Sequence, residues 1–94
     1  VETDYEISLN TAVFTTKYVL KRISPVLQVY HFEDGSWQFC GPEQALIDED
    51  YRVISLNEML LLDSSLRMLG NLEVGFEAIR KSKKDNWKII QIIN

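Results

Sequence analysis

The residues able to do chemistry gather in one stretch, Val29 to Gly41. His31, Cys40, the acidic pair Glu33 and Asp34, and the aromatic residues Tyr30, Phe32, Trp37 and Phe39 all fall within it. A histidine beside a cysteine is the pairing of a thiolate nucleophile with its base, and that chemistry needs the two groups within about 2.6–3.2 Å. Asp34-Gly35 lies between two β-rich runs and is the strongest short-range sign of a hairpin, because a two-residue type I′ turn takes positive φ at both central positions. Such a turn sets Glu33 opposite Ser36, Phe32 opposite Trp37, His31 opposite Gln38, Tyr30 opposite Phe39 and Val29 opposite Cys40. His31 and Cys40 then share a face but meet only along a diagonal of about 7–8 Å. The expectation is therefore a hairpin with a structural Cys40 and a His31 hydrogen-bonded to Gln38, and not an enzyme. The alternative is a small ligand-binding domain or enzyme with a pocket near His31 and Cys40. In the same register Tyr30, Phe32, Trp37 and Phe39 form two cross-strand aromatic pairs on one face, and Leu27, Val29, His31, Gln38 and Cys40 occupy the other. Glycine at the turn is expected to matter more to stability than the histidine, so Gly35→Val should cost more than His31→Ala.

Charge is the second source of chemistry. The formal net charge is −4, and it is unevenly spread. Residues 33–63 carry Glu33, Asp34, Glu43, Asp48, Glu49, Asp50, Glu58 and Asp63 against Arg52 alone, whereas residues 77–94 carry Arg80, Lys81, Lys83, Lys84 and Lys88 against Glu77 and Asp85. An acidic total of this kind argues against nucleic acid as the partner. The cluster at 43–50 lacks the alternating ligands, central glycine and distal glutamate of a calcium loop, so no metal and no cofactor is expected. Glu33, Asp34, Glu43, Asp48, Glu49 and Asp50 are instead the candidate binding residues, an acidic surface for a basic protein partner. The basic segment from Arg80 to Lys88 reads as a charged sheet edge.

The chain that must position these residues has 94 of them, 46% apolar, which suits one core and one domain. The longest apolar run, Met59 to Leu62, is far short of a membrane span, and no basic segment followed by an apolar one opens the chain. Neither membrane nor export is expected, and a single cysteine suits a reducing cytoplasm.

Residues 1–11 are poorly patterned and read as a lead-in to a single domain at 12–94. Ala12 to Phe14 reads as a strand, with Thr15 or Thr16 capping a helical turn that ends before Pro25. Val26 to Phe32, Trp37 to Cys40 and Tyr51 to Ile54 read as further strands. Ser55 followed three residues later by Glu58 is a capping box, Asp63 opens a second helix, and Gly70 is placed to close it in the left-handed conformation. Alternation resumes at 74–79 and 87–93, two strands around the polar loop 82–86. The fold class expected is α+β, a mainly antiparallel sheet of five or six short strands with two or three short helices on one face.

The residues Val29-Tyr30-His31, Asp34-Gly35, Trp37-Gln38-Phe39, Ser55-Leu56-Asn57-Glu58, Asp63-Ser64-Ser65-Leu66 and the Gly75-containing strand resemble a group of small bacterial domains of unknown function. Some of these are similar to immunity proteins of polymorphic-toxin loci. The resemblance covers roughly residues 12–90 and rests on turns, caps and core positions. It implies a compact bacterial α+β domain with a protein-binding task, such as neutralising a toxin, and brings no catalytic residues.

Overall fold

The computed structural model describes residues 5–93. Six strands form one sheet: β1 (Ala12–Thr16), β2 (Gln28–His31), β3 (Trp37–Cys40), β4 (Tyr51–Ser55), β5 (Phe76–Ile79) and β6 (Lys88–Gln91), in the spatial order β4-β1-β3-β2-β5-β6. Every neighbouring pair is antiparallel except β1 with β3, which is parallel with Phe14 beside Gln38. The α+β class is as the sequence indicates, with one parallel pair that local turn signals do not encode.

The helices are short: α1 (Lys17–Leu20), α2 (Leu56–Leu62), and 3-10 helices at Asp48–Asp50 and Ser64–Leu69. Thr16 caps α1 by accepting from the Val19 N–H at 3.2 Å. Ser55 and Glu58 form both halves of the capping box at the start of α2, Ser55 Oγ accepting from Glu58 N and Glu58 Oε1 from Ser55 N. Asp63 Oδ1 accepts from Ser65 N at 3.0 Å and starts the Ser64–Leu69 helix. Gly70 closes that helix in a right-handed conformation, φ −60°, and is buried, so it is not the left-handed cap expected of it. Val13, Val29, Phe39 and Ala78 from the sheet pack with Leu56, Met59, Leu60, Leu66, Leu69 and Leu72 from the helical layer. Each fully buried aliphatic or aromatic side chain here contributes about 1.5–3 kcal/mol. Of the poorly patterned start, residues 1–4 lie outside the described residues. Tyr5 belongs to the core, its ring 4.9 Å from that of Trp37 and its hydroxyl donating to the Leu66 carbonyl at 2.8 Å.

The β2–β3 hairpin differs from expectation by one residue. Its loop has three residues, Glu33, Asp34 and Gly35, with Gly35 N–H donating to Phe32 O and Phe32 N–H to Ser36 O, each at 2.9 Å. Only Gly35 has positive φ, at +90°, so this is a turn closed by a left-handed glycine and not a two-residue type I′ turn. Asp34 explains the choice: its carboxylate accepts from both the N–H and the hydroxyl of Ser36, which holds the chain in the longer loop. The register becomes His31 opposite Trp37, Tyr30 opposite Gln38, Val29 opposite Phe39 and Gln28 opposite Cys40. A slip of one residue exchanges the faces of one strand relative to the other. The expected aromatic face is therefore divided: Trp37 and Phe39 turn to the core with Val29 and His31, while Tyr30 and Phe32 lie on the opposite side with Gln38 and Cys40.

Candidate functional site

The corrected register separates the two residues that could have formed a nucleophile and base. His31 is on the helical side of the sheet, stacked on Trp37 with ring centroids 3.9 Å apart, and its Nδ1 is 2.7 Å from the Leu72 carbonyl. Because a carbonyl only accepts, Nδ1 carries the proton, and the partner is Leu72 instead of Gln38. Cys40 is on the other side, buried, with Gln38 Nε2 donating to Sγ at 3.3 Å. Burial raises its thiol pKa, which opposes nucleophilic use.

The sheet side facing away from the core cluster is unusually apolar for a face turned to solvent, where antiparallel sheets ordinarily place polar residues. Alternation from the paired registers puts Val53, Phe14, Gln38, Tyr30, Glu77 and Ile90 in one row across it. Phe14 is 41% and Val53 59% exposed. Tyr30 stacks on Phe32 along β2, with centroids 5.5 Å apart and rings nearly parallel. Partial burial, reinforced by the Glu77 charge, pushes the Tyr30 phenol up to about 12, so it remains a neutral hydrogen-bonding group. A groove of about 290 Å³ opens on this face between Phe14, Phe32, Ser36, Gln38, Asp48 and Tyr51. A second, of about 480 Å³, lies towards β6 beside Gln28, Ile79, Lys81, Asp85 and Lys88. One groove thus has an aromatic floor and an acidic rim, and the other a basic one. Phe14, Tyr51 and Val53 were not among the candidate residues of the sequence; the signal present was that Val13 and Phe14 are both apolar, so a strand through them must show one to each side.

The six acidic candidates are not equivalent in the fold. Glu33 and Asp34 sit in the β2–β3 turn, whereas Glu43, Asp48, Glu49 and Asp50 lie in the connection from β3 to β4, of which Asp48 lines one groove with Phe32 and Ser36 beside that turn. Their roles also divide. Asp34 holds the hairpin turn, and those hydrogen bonds lower its pKa. Glu43 accepts from the Ser24 hydroxyl. Asp50 is buried, accepts from Ile47 N at 3.0 Å and pairs with Lys17 at 3.2 Å. The Ile47 hydrogen bond, followed by Lys17, holds its pKa below the ordinary aspartate value. Glu33, Asp48 and Glu49 are exposed, and Asp48 is the one that lines the aromatic groove.

Arg80 is no edge charge. Its guanidinium is buried, donating to the Val26 carbonyl, to Ser65 Oγ and to Asp63 Oδ2 at 3.0 Å, with the Trp87 ring 4.0 Å away. Lys81, Lys83, Lys84 and Lys88 are exposed. Among the described residues no three His, Cys, Asp or Glu side chains gather closely enough to hold a metal, and no helix is long and apolar enough to cross a membrane. In comparisons with protein-family models, curated proteins and solved structures, the chain matches none.

Proposed function

We propose that this chain is a small protein-binding module that receives a basic partner on the open face of its sheet. The observation that carries the reading is the groove between Phe14, Phe32 and Tyr51 with Asp48 on its rim. An aromatic floor takes an apolar anchor, and a carboxylate beside it selects a neighbouring lysine or arginine over an acidic residue. Exposed Glu49, next to Asp48, adds to the attraction, as does exposed Glu33, which follows the groove residue Phe32 in the hairpin loop. Neutralising a toxin by covering its basic surface, in the cytoplasm, is the particular task that the resemblance to immunity proteins favours.

Co-expression with the product of the adjacent gene tests that task. Cells survive the toxin with the wild-type chain and lose protection with Phe14→Ser or with Asp48→Lys, both at exposed positions. Failure of the wild type to protect contradicts the immunity reading. Protection that persists in both variants contradicts the groove as the contact.

A further inference from the structure

The two edges of the sheet are finished differently. In an antiparallel pair alternate residues turn both backbone groups to the neighbour and the others turn them outward. On β4 the Leu56 N–H bonds Thr11 O, so Ile54 and Arg52 face β1, and Tyr51, Val53 and Ser55 face outward. Two of those outward groups are already occupied: Arg52 Nη1 donates to Tyr51 O at 2.8 Å, and Glu58 Oε1 accepts from Ser55 N. On β6 the Ile92 N–H bonds Gly75 O, so Ile92, Ile90 and Lys88 face β5, and Ile89 and Gln91 turn their N–H and C=O outward. Among the described residues nothing bonds them. Ile89 is 50% and Ile93 93% exposed, and no proline or bulge blunts the strand. An edge strand left in that state is a template for another strand.

We propose that β6 pairs antiparallel with β6 of a second copy, joining two sheets into one of twelve strands. With Ile90 opposite Ile90 of the other copy, Ile89 stands opposite Gln91 and their outward groups exchange about four backbone hydrogen bonds. Pairing about a two-fold axis normal to the sheet keeps the faces in phase, so open face continues into open face. The antiparallel direction also sends the two 82–86 loops, with Lys83 and Lys84, to opposite ends of the ribbon, and Lys88 meets Ile92 instead of its own counterpart. Because Arg52 and Glu58 occupy the β4 edge, β4-to-β6 pairing is disfavoured and assembly closes at two copies. A single strand pair lies at the small end of the interface range, so the dimer is a weak one.

Sedimentation equilibrium from about 10 μM to 1 mM tests the pairing, alongside amide exchange. The expected result is a rise towards twice the monomer mass, with the Ile89 and Gln91 amides gaining protection as concentration rises while that of Ile90 is protected throughout. Gln91→Pro removes an outward N–H without touching the β5 ladder and should weaken the dimer at least about tenfold. A monomer at every concentration overturns the proposal. So does a dimer that Gln91→Pro leaves unchanged, or one in which Ile89 and Gln91 gain no protection, since either places the contact elsewhere. Should Gln91→Pro fail to fold, the exchange pattern of the wild type decides alone.

Discussion

Replacing Asp63 by alanine removes the carboxylate beside a guanidinium that the fold has taken out of water. The Arg80 side chain is 2% exposed and that of Asp63 8%, with Nη2 and Oδ2 3.0 Å apart. Without Asp63, Arg80 keeps the Val26 carbonyl, the Ser65 hydroxyl and the Trp87 ring, none of which carries a negative charge. Breaking a buried pair from one side costs about 3–5 kcal/mol, because the surviving charge stays buried. Loss of the Asp63 cap on Ser65 N adds about 1 kcal/mol in isolation. The two effects share one residue and do not simply add, so the expected loss is about 4 kcal/mol out of a total stability of about 5–15 kcal/mol. Urea unfolding checks this: the midpoint should fall by about 2 M. The double variant Asp63→Ala/Arg80→Met, which leaves no charge unpaired, should recover part of the loss. An Asp63→Ala protein within about 1 kcal/mol of wild type refutes the reasoning.

Gly41→Ala should cost about 1–3 kcal/mol in thermal unfolding, since a Cβ there meets Glu43 Oε1 at 2.8 Å, Ser24 Cβ at 2.9 Å and Pro25 O at 3.0 Å. His31→Ala should cost about 2–3 kcal/mol, losing the Trp37 stack and the hydrogen bond to Leu72 O. Gly35→Val, where a Cβ meets nothing within 4 Å and only the φ of +90° is strained, should cost about 1–2 kcal/mol. Denaturation of both variants checks the order, which reverses the one suggested by the sequence. Asp50, whose folded pKa is held below the ordinary value, stabilises the fold above that value and ceases to as pH falls through the folded pKa. The Asp50→Asn variant should accordingly lose less stability than wild type on acidification below about pH 4.

What the sequence shows and hides follows from the range of the interactions concerned. The starts of α2 and of the Ser64–Leu69 helix are set within three residues of Ser55 and Asp63, and strands β3 and β4 begin where the apolar runs at Trp37 and Tyr51 begin. Local chemistry encodes them. The hairpin register turned on the bonds of one side chain, Asp34 to Ser36, which chooses between a two-residue and a three-residue loop and so decides which side of the sheet each of the hairpin's aromatics occupies. The parallel β1–β3 pair and the buried Arg80–Asp63 pair join residues 17 or more positions apart, and neither has a short-range signal. The charge pattern marks one acidic segment of chain but not what each of its carboxylates does in the fold. Glu43 and Asp50 are consumed by the fold, and the groove depends on Phe14 and Tyr51, whose side of the sheet is fixed only once β1 lies between β3 and β4.

Whether the open face is the contact surface is tested most directly by amide shifts of isotope-labelled protein titrated with two blocked hexapeptides, one alternating leucine with lysine and the other leucine with glutamate. The lysine peptide should shift Phe14, Phe32, Gln38 and Tyr51, with an affinity that falls as salt is raised, and the glutamate peptide should leave them unmoved. Leu61 and Met68, at 70% and 62% exposure, are the competing apolar sites on the helical layer. Shifts centred on them, or an equal response to both peptides, would contradict the account.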